Sequence, residues 1–184
     1  MRIIGGRSRG LKLAEVGAGD PAAHLRPTSD RVREAIFNLL VNGGYGAPLQ
    51  GARVLDLFAG TGALGLEALS RGAAHATFVE NGKVGLALLA RNIALMRAEA
   101  QTTVLRRDLR APGDPPGAGY DVVFLDPPYG KGLGEAAVQA VRGWLVPQAL
   151  VVWEEASAPV LPEGFALEDQ RKYGDTLVTI ARAP

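Results

Sequence analysis

Short apolar runs alternate with longer segments of helical periodicity through the middle of this chain. The runs typical of buried strands are 54–58, 76–80, 103–105, 120–126 and 149–153. Strands that alternate with helices are joined by crossover connections, which produce a mostly parallel sheet with helices on both faces. Residues 165–171 and 176–182 differ, because they flank Tyr173-Gly174-Asp175 as the strands of a β-hairpin would. The pattern predicts an α/β fold with a mostly parallel seven-stranded sheet that ends in a C-terminal antiparallel hairpin.

The chain has the length of one structural domain, with 184 residues of which 47% are apolar. Residues 1–42 are interpreted as a basic N-terminal arm and a helix packed on the core, and residues 43–184 as the α/β domain itself. We expect the helix to begin after Thr28 or Ser29, either of which can cap its free amides, and to end at Asn42-Gly43-Gly44.

Several classes of site are disfavoured by composition. Cysteine is absent, which excludes disulfides and thiolate metal ligands, and His24 and His75 lie too far apart to show ligand spacing. No apolar run approaches the roughly 18 residues of a membrane span, and the N-terminus lacks the apolar core of a secretory signal. We therefore expect a cytoplasmic protein with no metal site and no membrane partner.

The first 13 residues, called the N-terminal arm below, contain basic side chains and no acidic one. The basic residues of the arm and of the segment after it are Arg2, Arg7, Arg9, Lys12, Arg26, Arg31 and Arg33. Such a cluster suits contacts with nucleic-acid phosphates, although the net charge of the whole chain is only +1. On charge alone, a phosphate-contacting arm and a solvated, slightly basic tail are equally good interpretations.

A glycine-rich loop follows the first predicted strand. Residues 60–65 match G-x-G-x-x-G between a strand and a helix, a pattern that also binds dinucleotides. Asp56 precedes this loop, where the pyrophosphate of a dinucleotide would lie, and a carboxylate would repel it. S-adenosylmethionine carries an ammonium and a sulfonium group and no phosphate. Asp56 therefore favours S-adenosylmethionine as the cofactor.

Two further acids end the next two strands. Glu80 can accept hydrogen bonds from both ribose hydroxyls of the cofactor, and Asp108 can accept one from the adenine amino group. Ligands bind outside the carboxyl ends of the strands in open α/β sheets. Each acid alone is also typical of an ordinary strand-end turn, but together with the glycines the three acids predict a cofactor site.

Asp126-Pro127-Pro128-Tyr129 follows the fourth strand. An exocyclic base amine is a poor nucleophile because its lone pair is delocalised into the ring, so an enzyme has to hold and orient it. Asp126 and the carbonyl of Pro127 can each accept one N–H, the prolines stiffen the turn, and Tyr129 can stack on the base. A base in a duplex reaches such a pocket only when it is flipped out or unpaired. A rigid turn with a core tyrosine is the alternative interpretation, which the upstream cofactor pattern disfavours.

These segments resemble known methyltransferases. Residues 54–72 together with Asp126–Tyr129 resemble class I amino-methyltransferases, and residues 2–6 and 26–38 narrow the resemblance to the bacterial RsmD family. The resemblance implies a Rossmann-like class I methyltransferase fold, with residues 43–184 as the S-adenosylmethionine-dependent domain. It further implies methyl transfer to the N2 amine of a guanine in small-subunit ribosomal RNA. The implied partner is that RNA within a small-subunit particle.

We expect particular residues to carry these roles. Cofactor binding is expected from Asp56, Phe58, Gly60, Gly62, Glu80, Asn81, Asp108 and Leu109. The expected catalytic set is Asp126, Pro127, Pro128 and Tyr129. RNA contacts are expected from Arg2, Arg7, Arg9, Lys12, Arg26, Thr28, Arg31 and Lys131. For Lys131, a simply exposed side chain is an equally good interpretation.

Two other functions stay open at this point. An Asp-Pro-Pro-Tyr loop suits any planar amine, so the chain could methylate adenine in DNA or an amide in a protein. The basic arm disfavours the protein substrate but not DNA. A ribosome-assembly factor that keeps the fold without turnover is the non-enzymatic alternative, and the intact Asp126 and Tyr129 speak against it.

Overall fold

The computed structural model describes residues 1–16 and 29–184 of the chain. Arg26 and Thr28, two of the expected RNA contacts, lie outside the described residues. The strands are β1 Arg53–Leu57, β2 His75–Val79, β3 Thr102–Leu105, β4 Tyr120–Leu125, β5 Leu145–Glu155, β6 Ala166–Tyr173 and β7 Thr176–Arg182. The α-helices are α1 Asp30–Asn42, α2 Ala63–Ser70, α3 Lys83–Met96 and α4 Leu133–Ala140, and short 3-10 turns cover Glu99–Gln101 and Arg142–Trp144.

The seven strands form one sheet in the order β3-β2-β1-β4-β5-β7-β6. Neighbours from β3 to β5 pair in parallel, whereas β7 pairs antiparallel with both β5 and β6. The chain order reverses between β1 and β4, and in open sheets ligands bind outside the carboxyl ends of the strands at such a reversal. The predicted mostly parallel sheet with its C-terminal hairpin is therefore confirmed.

The largest departure from the predicted elements lies between α4 and β5. The periodicity predicts one helix near 133–145, but α4 ends at Ala140 and a 3-10 turn follows. β5 begins at Leu145, ahead of the apolar run that marks it in the sequence. Pro147 has no N–H to donate and Gln148 has a φ of 64°. The strand consequently starts with a register shift against β4. The sequence does not predict this shift, because the first residues of β5 do not alternate between apolar and polar.

Apolar side chains cover both faces of the sheet. One cluster joins α1, α2 and α3 to the sheet and includes the fully buried rings of Phe37, Phe78 and Phe124. The other joins α4 to the opposite face and includes Trp144 and Trp153. Successive strand residues point to opposite faces, so the near-continuous apolar runs of β1 and β4 supply both clusters. This two-sided core holds the carboxyl ends of the strands in fixed positions.

The N-terminal arm folds back on itself. Arg2 and Lys12 form an antiparallel bridge, and the side chains of Ile3 and Leu13 are buried in the core beside α2. The arm thus presents its basic side chains from a fixed loop rather than from a solvated tail.

Glu67 of α2 anchors the arm. Its carboxylate is fully buried and accepts 2.8 Å hydrogen bonds from the backbone N–H groups of Ile4 and Gly5. Arg71 Nε donates to the same carboxylate at 2.7 Å, and Arg33 Nε lies 3.9 Å from it. A buried charge has to be paired and hydrogen-bonded to be tolerated, and this carboxylate has partners from three segments of the chain.

Arg33 corrects the predicted basic surface. Its place after Arg31 suggests another exposed cation, but its side chain is fully buried. Arg33 lies one helical turn before Ile36 and Phe37, on the face of α1 that enters the core. It donates to the Asp30 carboxylate at 2.8 Å and to the carbonyl oxygen of Arg2. Arg33 is therefore part of the arm's anchor and is unavailable to phosphates.

Candidate active site

Carboxylates from four strands lie at one edge of the sheet. Asp56 belongs to β1, while Glu80, Asp108 and Asp126 follow β2, β3 and β4. Because these four strands are parallel, their carboxyl ends meet at the same edge. The edge includes the reversal between β1 and β4, which is where a ligand is expected to bind.

Asp56 is a buried acid beneath the glycine-rich loop. Only 2% of its surface is exposed, and its Oδ2 accepts a 2.8 Å hydrogen bond from the Gly65 N–H of α2. Burial raises the pKa of Asp56 well above the usual value; the bond from Gly65 opposes this, and the nearby carboxylates of Asp126 and Glu80 raise the pKa further. A cation would favour the ionised form of this carboxyl. The ammonium and sulfonium of S-adenosylmethionine fit that requirement.

Replacing Asp56 with asparagine should weaken cofactor affinity and remove a pH dependence. Loss of the charge-assisted contact between Asp56 and the cofactor should raise the Kd of the cofactor by about tenfold to hundredfold. In the wild type, binding of a cation requires Asp56 to lose its proton, so affinity should fall as the pH falls toward and below its raised pKa. Calorimetric titration with S-adenosylhomocysteine and S-adenosylmethionine from about pH 6 to 9 measures both effects, the sulfonium being present only in the second.

Asp56→Asn should weaken cofactor binding but make the protein more stable than wild type as the pH rises. Because the folded protein holds the Asp56 proton more tightly than the unfolded chain, the contribution of this group to stability falls as the pH rises above the usual value of 3.8. The asparagine variant lacks that loss, so its stability relative to wild type should increase with pH in urea titrations. Asp114→Asn, at an exposed position, is the matched control. Equal pH profiles of wild type and Asp56→Asn would contradict the assignment.

The glycine-rich loop turns sharply through left-handed backbone. Phe58, Gly60 and Gly62 have φ values of 59°, 53° and 78°. This region is rarely adopted by a bulky residue such as phenylalanine, so Phe58 is held there by its surroundings. Gly65 allows close approach of α2, since a methyl group at this position would overlap the Phe78 ring. The turn leaves Phe58 lining the cleft described next.

A cleft of about 280 Å³ lies at the carboxyl edge. Its lining includes six residues expected to bind the cofactor or the substrate: Phe58, Glu80, Asn81, Asp108, Leu109 and Pro128. It also includes six residues that the sequence did not single out for this role: Val79, Arg107, Arg110, Leu133, Ala136 and Ala137. Three of the latter belong to α4. The sequence predicted the apolar face of this helix but did not predict that the helix lies over this edge. Six expected residues lie outside the lining: Asp56, Gly60, Gly62, Asp126, Pro127 and Tyr129.

Glu80 is already hydrogen-bonded to the backbone of the cleft. Its Oε2 accepts from Gly60 N–H at 2.8 Å, and its Oε1 accepts from Asn81 and Gly82 N–H at 2.9 and 2.6 Å. An ionised carboxylate offers about four acceptor positions. These contacts fix the side chain and leave one free acceptor position, on Oε2. One ribose hydroxyl of the cofactor could donate to it, and a second hydroxyl could bind Glu80 only by displacing a backbone N–H.

Asp108 is paired with Arg110 at the rim of the cleft. Both Asp108 oxygens accept from the Arg110 guanidinium, and Oδ1 also accepts from the Arg110 backbone N–H at 2.9 Å. These hydrogen bonds lower the pKa of Asp108 to about 2. The Asp108 side chain is 40% exposed, so this pair keeps Asp108 ionised at an accessible position.

The Asp126–Tyr129 loop lies beside this cleft. Asp126 is partly buried, Pro127 is buried, and Pro128 lines the cleft. The Tyr129 hydroxyl lies 3.2 Å from Thr176 Oγ1, and the loop therefore also contacts the C-terminal hairpin. Pro128 places this loop at the cleft that Glu80 and Asp108 also line, and the Asp126 carboxylate is near enough to Asp56 to raise its pKa.

The expected RNA contacts among the described residues lie on the surface. Arg9, Lys12, Arg31 and Lys131 are exposed. Arg2 is also exposed but lies 3.7 Å from Asp30, and Arg7 donates to the side chain of Gln101. Five of these side chains belong to the arm or α1, and Lys131 follows the Asp126–Tyr129 loop.

Residues 1–16 and 29–184 contain no group of three or more side chains suited to hold a metal ion. Within the same ranges, no helix has both the length and the apolar character needed to cross a membrane.

Comparison with known proteins identifies the family. The family model described as conserved hypothetical protein 95 matches residues 1–182. Ribosomal RNA small subunit methyltransferase D of Escherichia coli (strain K12) is 38% identical over 180 residues, which cover 95% of this chain and 85% of that protein. The Haemophilus influenzae protein of the same name is 37% identical, with 95% of this chain and 89% of that protein covered.

Solved structures agree with the sequence comparison. The Escherichia coli yhhF structure superposes with a TM-score of 0.82 at 34% identity, covering 100% of this chain and 97% of that one. An RNA methyltransferase from Salinibacter ruber in complex with S-adenosyl-L-homocysteine has a TM-score of 0.63 at 16% identity, over 86% of this chain and 94% of that one, and shares the fold. The chain belongs to the RsmD family and has the Rossmann-like class I methyltransferase fold that its sequence predicts.

Proposed function

We propose that this chain transfers the methyl group of S-adenosylmethionine to the exocyclic N2 amine of a guanine in small-subunit ribosomal RNA. The names of the Escherichia coli and Haemophilus influenzae relatives support ribosomal RNA as the substrate. The observation that carries the proposal is that Pro128 of the Asp126–Tyr129 loop lines the same cleft as Glu80. A base held by this loop would lie next to a cofactor held at the strand ends. The reaction would take place in the cytoplasm, where ribosomes assemble.

The residues in and around the cleft fit the cofactor by their chemistry. Asp56 would neutralise its positive charge and the remaining acceptor position of Glu80 would bind a ribose hydroxyl. The apolar walls of Phe58 and Leu109 suit the flat adenine ring. Asp108 would accept from the adenine amino group in place of one Arg110 N–H, since Arg110 donates to both Asp108 oxygens. Asn81, Gly60 and Gly62 would border the ribose and the methionine part. When bound, S-adenosylmethionine supplies an electrophilic methyl group.

At the substrate end, the loop would hold the amine. The Asp126 carboxylate accepts one N–H and the Pro127 carbonyl accepts the other, which directs the nitrogen lone pair toward the cofactor. Tyr129 stacks on the base plane. Catalysis would rest on positioning and electrostatics.

The arm would contact RNA phosphates, with residues 1–42 serving RNA binding and residues 43–184 serving catalysis. Arg9→Ala should weaken RNA binding regardless of sequence and reduce the slope of log Kd against log salt by about 1. Arg142→Ala is the control, because Arg142 follows α4, which covers the face of the sheet opposite to the one on which the arm packs. Filter-binding titrations over a range of salt concentrations give both slopes. Equal slopes for the two variants would contradict the proposal that the arm contacts RNA.

Methylation of purified small-subunit particles tests the function. Particles from a strain that lacks this protein are incubated with the protein and labelled S-adenosylmethionine, then digested and analysed by mass spectrometry. We expect label in N2-methylguanosine. Label in N6-methyladenosine on a DNA substrate, or in ribosomal protein, would favour the other amine substrates. Stable binding to particles without any label would favour an assembly factor.

A further inference from the structure

The Asp126–Tyr129 loop is held from its far side by two residues of the C-terminal part of the sheet. Thr176, the first residue of β7, is 7% exposed, and its Oγ1 lies 3.2 Å from the Tyr129 hydroxyl oxygen. Glu155, the last residue of β5, is 6% exposed. Its Oε1 accepts from Gly130 N–H at 3.2 Å and from Ala156 N–H at 2.9 Å.

We propose that Glu155 and Thr176 are positioning residues that fix the Tyr129 ring and the Asp126–Tyr129 loop for methyl transfer. The inference rests on the proposed function of that loop. Neither residue has to touch substrate or cofactor, since each acts through an atom of the loop or of the residue after it.

The topology explains why these two residues meet the loop. β5 runs parallel to β4, so Glu155 reaches the same edge of the sheet as Asp126. β7 runs antiparallel to β5 and pairs Leu177 with Glu155, so the first residue of β7 is delivered to that edge as well. Because β7 is antiparallel, its first residue lies at the carboxyl edge of the parallel strands. A parallel strand in the same place would have its last residue there instead.

The loop needs such contacts on its C-terminal side. Pro127 and Pro128 restrict the backbone at its start, but Gly130 and Gly132 follow, with φ values of 71° and 62°. Glycine leaves the chain free to adopt many conformations. Methyl transfer by positioning is sensitive to displacements of about 1 Å. A bond on the Gly130 N–H and one on the Tyr129 hydroxyl restrain the part of the loop that the prolines do not.

A purely structural role for Thr176 would lower stability without depending on the Tyr129 hydroxyl. The two roles are separated by a double-mutant cycle of Thr176→Val and Tyr129→Phe. We expect each single variant to lower kcat by about three- to tenfold, the range for one hydrogen bond, with the Kd for S-adenosylhomocysteine unchanged. Because both remove the same contact, the double variant should be no slower than the slower single variant. Thr176→Ser, which keeps the hydroxyl, should restore kcat.

Glu155 provides a second test that does not depend on Thr176. Glu155→Ala should lower kcat by about three- to tenfold, whereas Glu155→Gln keeps an acceptor oxygen and should retain most of it. Effects of Thr176→Val and Tyr129→Phe that multiply, or wild-type kcat in both Thr176→Val and Glu155→Ala, would overturn the inference. Failure of the proposed function looks different, because the wild-type protein itself would then leave ribosomal RNA unlabelled.

Discussion

Replacement of Asp126 by alanine is expected to lower kcat for methyl transfer by about a hundredfold to a thousandfold, the cost of removing one preorganised polar contact from a transition state. The amine would lose the carboxylate that holds one N–H and orients the lone pair. Cofactor affinity should stay within about twofold of wild type or rise slightly, because the Asp126 charge opposes ionisation of Asp56. Single-turnover rates on the RNA substrate and calorimetric Kd values for S-adenosylhomocysteine measure the two quantities separately.

Asp126→Asn is the matched variant, because it keeps an acceptor oxygen at the same position and removes the charge. We expect it to retain more activity than Asp126→Ala. Urea titrations of both variants establish that the fold is intact. A large loss of cofactor binding in Asp126→Ala, with stability unchanged, would place Asp126 in the cofactor site and contradict the role proposed for it.

Replacement of Glu67 by alanine is expected to have the largest effect on stability, about 3–5 kcal/mol, the usual cost of removing one partner from a buried ion pair. Arg33 is fully buried and would lose its neighbouring carboxylate, and the N–H groups of Ile4 and Gly5 would lose their acceptor. Arg71 would lose its 2.7 Å bond as well. The free energy of unfolding from urea titrations gives the magnitude.

Glu163→Ala removes the same side chain from an exposed position and should change stability by less than about 0.5 kcal/mol. Limited proteolysis offers an independent readout, since the arm should become cleavable in Glu67→Ala before the rest of the chain unfolds. If Glu67→Ala were as stable as Glu163→Ala, the buried carboxylate would not be the anchor of the arm.

The sheet and the cofactor edge could be predicted because their signals are local in the sequence. Each strand is a contiguous apolar run, and parallel pairing then places Asp56, Glu80, Asp108 and Asp126 at one edge without further information. The glycine spacing marks the turn before α2. The start of β5 could not be predicted, because the register shift near Pro147 and Gln148 does not change the hydrophobic periodicity of the sequence.

Contacts between distant segments could not be predicted in the same way. Glu67 bonds to Ile4 and Gly5 across 63 and 62 residues, and Tyr129 meets Thr176 across 47. One signal was nevertheless present, because α2 is apolar on nearly all sides, which is typical of a helix with no solvent-exposed face. All of its residues are buried, and the sequence did not reveal that the N-terminal arm is among the segments that cover it. Glu155 shared the strand-end position of the predicted acids and could have been singled out on that ground.

The arm that lies over α2 also bears on the order of events during synthesis. Residues 1–13 leave the ribosome before α2 does, and their partner Glu67 is added several seconds after them at typical rates of about 5–20 residues per second. Until then, Ile3 and Leu13 lack the α2 surface that helps to bury them, so this early segment cannot dock before α2 has been made. A nascent chain stalled before α2 would therefore expose apolar and basic side chains of this segment that the folded protein covers in part.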